Sequence, residues 1–159
     1  MQIEPEMMQS NDALATGLDK GAIAQALFCQ TLSSNKLQQM SPGALAYLGD
    51  AVYELYIRRY YLIPPKRIHA YHHQVVSQVR AETQAHHLDQ LIPFLTPTEL
   101  DLLKRGRNAA NSRPKRIDPD TYQRATSLET LIGYLYLSDL PRLMELLGCL
   151  QIDSTAVVN

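Results

Sequence analysis

The sequence predicts an all-α fold. Apolar residues recur at three- and four-residue spacing along most of the chain, prolines and one polar cluster separate the periodic stretches, and no stretch alternates with the period of a strand. Its 159 residues, 45% of them hydrophobic, are enough for one sizeable core and too few for two ordinary domains.

Residues 1–20 are polar and slightly acidic and lack periodicity, so they read as a flexible N-terminal extension to a domain over 21–150, with 151–159 as a C-terminal tail. Ile23, Leu27, Phe28 and Leu32 mark a weak helical pattern between Ala22 and Leu37. The clear signal starts at Ser41 and Pro42, a hydroxyl cap followed by the residue favoured in a first turn. From there Leu45, Leu48, Val52, Leu55 and Tyr56 carry a long helix to Tyr60 or Tyr61, where Ile63, Pro64 and Pro65 stop it. A second long helix is expected from Arg67 to Leu91, on Ile68, Val75, Val76 and Val79, and a third from Pro97 to Asn108, on Leu100, Leu102 and Leu103. A polar loop with two prolines follows, then a helix from Tyr122 to Leu137 and a last one from Pro141 to Leu150.

Bulk composition excludes several classes. Fifteen Lys and Arg against sixteen Asp and Glu give a formal charge of -1, so no tail-driven polyanion binding shows in the total. Cys29 and Cys149 stand far apart without CxxC spacing, which supports neither a disulfide scaffold nor a thiolate zinc site and predicts two reduced, packed thiols. No apolar run reaches the roughly 18 to 20 residues of a membrane span, and the acidic start MQIEPEMMQS is unlike a secretory signal, so a cytoplasmic protein is expected. Nucleotide-loop motifs and a nucleophile elbow are absent. His69, His72, His73, His86 and His87 have no matched third ligand for zinc and are expected to be exposed or phosphate-facing.

Two carboxylates stand inside apolar helical segments: Asp50 in the stretch Leu48 to Glu54, and Glu129 in the stretch Ser127 to Gly133. Unpaired buried carboxylates cost several kcal/mol, so each needs a partner or a task. Gly49 precedes Asp50 and Gly133 lies one turn beyond Glu129. Glycine inside a helix costs about 0.5 to 1 kcal/mol relative to alanine and is tolerated where another backbone must come close. A crossing of the two helices there would bring the acids together, with Glu54 on the same face as Asp50. Hard oxygen donors with room for waters suit Mg²⁺, and acids around such an ion suit phosphodiester hydrolysis. Ordinary interior ion pairs with Arg58, Arg80 or Arg124 account for the same acids without chemistry.

Charge is unevenly spread. Lys104 to Arg116 holds six basic residues and no acid, and Arg58 to Arg116 holds eleven basic against four acidic residues. This is a polyanion footprint masked by an acidic remainder. Arg105, Arg107, Asn108, Arg113, Lys115 and Arg116 are the candidate nucleic-acid-binding residues, with Lys66 and Arg67 as secondary ones. With no Trp and two Phe the chain has few stacking platforms, which points to a duplex read by shape and phosphates.

The segments Leu45 to Glu54 (LAYLGDAVYE) and Leu128 to Leu137 (LETLIGYLYL) resemble the ribonuclease III endonuclease domain, and with Arg105 to Ala109 (RGRNA) and the short chain they resemble its compact Mini-ribonuclease III subgroup, which lacks an appended double-stranded-RNA-binding domain. The resemblance covers roughly Ser41 to Leu150. It implies an all-helical homodimer that cuts double-stranded RNA with Mg²⁺, or Mn²⁺ in its place, and trims the stem of the large-subunit (23S) ribosomal RNA precursor. Asp50 and Glu129 match the family's metal-binding acids and become the expected catalytic and metal residues, with Glu54 as a further candidate. Two departures accompany the match. Ala46 stands where longer relatives carry a glutamate and Thr126 where they carry an aspartate, so metal affinity is expected to be weaker and more dependent on substrate. The alternative functions are a non-catalytic duplex-RNA-binding or ribosome-assembly protein on the same fold, and a small helical interaction module without an RNA role.

Overall fold

The computed structural model describes residues 19–110 and 116–153, and every regular element among them is helical. The described residues fall into two units, the first ending at Thr31 and the second starting at Leu32. The first contains α1 (Lys20–Cys29), capped by the Asp19 carboxylate on the Gly21 amide at 3.0 Å and burying none of its residues. Cys29 is exposed, which corrects the packed thiol expected there; Cys149 is half-buried and donates to the Glu145 carbonyl. The remainder of the expected extension lies outside the described residues.

The second unit runs α2 (Ser34–Gln39), α3 (Pro42–Tyr61), α4 (Ile68–Val79), α5 (Ala81–Leu91), a 3₁₀ turn over Ile92–Phe94, α6 (Pro97–Ala109), α7 (Pro119–Ser138) and α8 (Leu140–Gly148). The single weak helix expected between Ala22 and Leu37 is thus two, because Gln30 and Ser33 adopt extended backbone between them.

Local chemistry explains the boundaries. Ser41 Oγ accepts from the Ala44 amide at 3.1 Å, so α3 starts where the serine and proline place it. Its last turn is closed by Lys66, whose ammonium donates to the Tyr61 carbonyl and lies over the Tyr61 ring. A reciprocal capping box opens α6: Thr96 Oγ1 accepts from the Glu99 amide at 3.2 Å and Glu99 Oε2 accepts from the Thr96 amide at 2.8 Å. Asp118 caps α7 through the Thr121 amide, so this helix begins at Pro119 and not at Tyr122. The helix expected over 67–91 is broken at Arg80, whose φ of -69° and ψ of 151° are extended. No glycine or proline marks this break. It is held by Thr83 Oγ1, which donates to the Ser77 carbonyl at 2.7 Å, and it turns Val75 on α4 and Leu88 and Leu91 on α5 to the same core.

Helix α7 is the centre of the unit, buried almost all round from Ala125 to Leu135, with α3, α5, α6 and α8 laid against it. Its buried hydroxyls bond to backbone: Thr130 Oγ1 donates to the Thr126 carbonyl at 2.8 Å, and Ser127 Oγ reaches the Gln123 carbonyl at 2.8 Å and the Leu103 carbonyl of α6 at 3.0 Å. The most extensive packing joins α3 to α7, and its middle is backbone on backbone. A Cβ on Gly49 would lie 1.8 Å from the Glu129 carbonyl oxygen, and one on Gly133 would lie 2.0 Å from the Leu45 carbonyl oxygen. Gly106 repeats the device for α6, where a Cβ would lie 2.6 Å from Thr130 Oγ1.

Gly49→Ala or Gly133→Ala therefore forces the two helices apart and is expected to cost about 3 kcal/mol or more in denaturant unfolding. Gly43→Ala, on the same α3 with nothing within 4 Å of the added carbon, is expected to be neutral or stabilising by up to about 1 kcal/mol.

Candidate functional site

The crossing places the two acids. Asp50 follows Gly49 on α3 and is solvent-exposed; Glu129 on α7, whose own carbonyl faces Gly49, is half-buried. The sequence-level picture of two acids sunk in apolar helices holds only for Glu129, since Asp50 lies on the rim of α3 beside the exposed Ala51. Burial is the main cause that raises the Glu129 carboxyl to about 7, and the neighbouring Asp50 raises it further. Asp50 is itself raised, by burial first and then by Glu54. The side-chain amide of Gln84, on α5, favours the ionised form of both carboxyls and opposes each of these shifts.

Neither acid forms a salt bridge among the described residues. Arg58 pairs with Glu54, and Arg124 pairs with Asp89, so the interior ion pairs that could have explained Asp50 and Glu129 do not form. Glu54 lies along α3, its Oε1 accepting from Arg58 Nε at 2.9 Å and Nη2 at 2.5 Å. Among the described residues no three His, Cys, Asp or Glu side chains gather as a metal-binding group. The juxtaposed acids are thus a pair. At the two departures the chain has no charge to add: Ala46 and Thr126 are both buried, one turn before Asp50 and Glu129 respectively.

Beneath the pair runs a buried polar network. Tyr53, a turn after Asp50, donates its hydroxyl to the Gln78 carbonyl at 2.9 Å, which leaves its oxygen to accept from His87 Nδ1 at 2.7 Å. Burial and the nearby Glu129 contribute to pushing the Tyr53 hydroxyl far up, and burial lowers His87. His87 is 1% exposed, which corrects its expected place among surface histidines; His69, His72, His73 and His86 are exposed. The other tyrosines of the core use their tips as tethers, Tyr56 to the Leu147 carbonyl at 3.1 Å and Tyr61 to the Asp153 carbonyl at 2.6 Å.

The basic residues divide. Arg105, Arg107 and Asn108 occupy exposed positions on the last turns of α6, which Gly106 holds against Ser127 and Thr130, the neighbours of Glu129. Arg107 is paired with Asp120 at 2.6 Å, and Arg116 is exposed. Lys66 is engaged at the end of α3, while Arg67 is exposed at the start of α4. Arg113 and Lys115 lie outside the described residues. Gln84 escaped the sequence reading because a single glutamine in the run Ala81 to Ala85 has no pattern that marks it.

The Glu129 carboxyl binds its proton more tightly in the folded chain than at its ordinary value of 4.5, so folding stability falls as pH rises from about 4.5 through about 7. Without divalent cations, Glu129→Gln is expected to be more stable than the unsubstituted chain by about 2 kcal/mol at pH 8, with the difference vanishing by pH 4. Urea unfolding at the two pH values in EDTA measures it.

Residues 43–140 match the ribonuclease III domain family. The chain is 55% identical over 120 residues to the Mini-ribonuclease 3 of Synechocystis sp., covering 76% of this chain and 84% of that protein. It is 54% identical over 108 residues to the Mini-ribonuclease 3 of Thermosynechococcus vestitus, covering 68% and 72% respectively. An X-ray crystal structure of a protein from Fusobacterium nucleatum superposes with a TM-score of 0.64 at 32% identity, covering 72% of this chain and 91% of that one. The glycine-locked crossing that sets the two acids side by side lies wholly within the matched segment, and the chain belongs to the ribonuclease III family of endoribonucleases, in its Mini-ribonuclease 3 branch.

Proposed function

We propose that the protein is a Mg²⁺-dependent endonuclease of double-stranded RNA whose catalytic residues are Asp50 and Glu129. The observation that carries this reading is the uncompensated acid pair: two adjacent carboxyls, both raised, with no Lys, Arg or His partner among the described residues. A cation is the partner such a pair lacks, and its hard oxygens fit Mg²⁺ or Mn²⁺. Asp50 and Glu129 would hold the ion, with Glu54 near enough to act on Asp50 although it is committed to Arg58. When bound, the ion supplies positive charge that polarises the scissile phosphate and makes water acidic enough to attack. Asp50, on the exposed rim, faces the incoming backbone, while Glu129, half-buried on the central helix, fixes the site to the core. Glu129 must surrender its proton for this role, so the affinity for the cation should rise with pH through about 7.

Arg105, Arg107, Asn108 and Arg116 would hold phosphates of the duplex, together with Arg113, Lys115 and, more weakly, Lys66 and Arg67. Arg107 would exchange Asp120 for phosphate, a small cost for an exposed pair.

The reading includes a homodimer. Tyr47, Ala51 and Leu55 form an exposed stripe at four-residue spacing on α3, with Tyr47 87% exposed, directly beside Asp50. A two-fold axis on this stripe would set two acid pairs on one duplex, one for each strand. The finer role, trimming of the large-subunit ribosomal RNA precursor stem in the cytoplasm, rests on the resemblance to the Mini-ribonuclease III subgroup; no helix among the described residues is long and apolar enough to cross a membrane.

Incubation of a long duplex RNA with the protein or with Asp50→Asn, in Mg²⁺ or EDTA, is expected to show cutting only by the unsubstituted chain with Mg²⁺. Intact RNA in every lane beside a gel shift would instead favour a binding or ribosome-assembly protein. Arg107→Ala is expected to weaken binding and to lower the salt slope by about one, with little change in the single-turnover rate at saturating RNA. Leu55→Glu is expected to give a monomer by light scattering.

A further inference from the structure

We infer that Gln84 is a positioning residue of the Asp50 and Glu129 site, its amide holding the two carboxylates and its carbonyl oxygen accepting from water in the cation's shell, in partial replacement of the two acids that this chain lacks. The inference rests on the proposed cation at that pair.

Gln84 is polar yet only 2% exposed, near the start of α5. A buried amide brings two donors and an acceptor that all require partners. Its Nε2 makes one long hydrogen bond, to the Val79 carbonyl at 3.4 Å, and its amide also acts on both Asp50 and Glu129, favouring the ionised form of each. Its Oε1 has no hydrogen-bond partner in the protein. An interior oxygen left unpaired is costly, and a protein retains one where water or a ligand completes it. Gln84 therefore stands by two carboxylates on two other helices and keeps a buried, unpaired acceptor.

Chemistry favours an amide over a third acid. Without the ion, another carboxylate would add repulsion at a pair in which Asp50 already disfavours the charge on Glu129, whereas a neutral amide favours it. With the ion bound, the same side chain offers a neutral oxygen to a hydrating water, as partners of metal ligands commonly do. Ala46 and Thr126 leave the family's other two acidic positions uncharged and buried, so the helix that can supply this oxygen is α5. The extended break at Arg80 starts that helix afresh four residues before Gln84.

The test is Mn²⁺ binding to the full chain without RNA, followed by electron paramagnetic resonance, for the unsubstituted protein, Gln84→Leu and the near-isosteric Gln84→Glu, with folding checked by circular dichroism. Gln84→Leu is expected to weaken Mn²⁺ binding about tenfold or more, and Gln84→Glu to tighten it. Unchanged affinity in a folded Gln84→Leu overturns the inference and leaves the nuclease reading standing. If Gln84→Leu does not fold, Gln84→Glu decides: tighter binding supports the role, and unchanged or weaker binding overturns it. No Mn²⁺ binding by the unsubstituted chain, either alone or with duplex RNA present, overturns both readings.

Discussion

The rest of the structure depends on the backbone contact between α3 and α7. Helices that meet through ordinary side chains stand about 8 to 10 Å apart. At Gly49 and Gly133 no side chain intervenes, and each glycine faces a carbonyl of the other helix. That approach removes two Cβ atoms and sets the register of α3 on α7 as a matter of hard-sphere contact. Because Asp50 is bonded to Gly49, and Glu129 supplies the carbonyl that Gly49 faces, the same contact determines where both carboxylates stand. Gly106 adds a second close approach one face over, so the basic end of α6 is referred to α7 as well.

Function and stability oppose one another at this crossing. Two adjacent carboxyls, one half-buried and without a cationic neighbour, raise the free energy of the folded chain above pH 4.5. The fold carries that cost through the apolar packing of α7 and through bonds remote from the acids, among them the fork of Arg142 on Glu99, with Nε to Oε1 at 2.9 Å and Nη2 to Oε2 at 3.0 Å. On the proposed reading, relief comes from a cation brought in from solution.

The interior around the acids is polar by design of side-chain tips. Tyr53, His87, Gln78 and Gln84 lie in or against the core, and their hydrogen bonds tie α3 to α4 and α5. Apolar replacements would fill the same volume, yet they would loosen the orientation of the groups nearest to Glu129. Tyr56 and Tyr61 perform the tethering role farther along α3, fastening it to the end of α8 and to the segment after it. Tyr53, Tyr56 and Tyr61 thus act as apolar filling with a directional end, while Tyr47 and Tyr60 of the same helix stay exposed.

Much of this was written locally. The Ser41 and Pro42 start of α3, the Pro97 start of α6 and the all-α class follow from caps and periodicity, and the cost of glycine in a helix marks Gly49 and Gly133 as a place where two helices could cross; each of these signals acts within a few residues. The break at Arg80 was illegible because it depends on packing and on the Thr83 hydroxyl, with no glycine or proline to announce it. The burial of His87 was illegible because its partner Tyr53 is 34 residues away, and the engagement of Lys66 and Arg107 because charge counts do not record which carbonyl or carboxylate is near. The sequence by itself determined that the chain is helical, where α3 and α6 start and which acids lack a local reason to be there. Only the tertiary structure decided that those acids go unpaired, that Glu54 turns to Arg58 and that Gln84 reaches the pair, since burial and pairing are properties of residues distant in the chain that folding brings into contact.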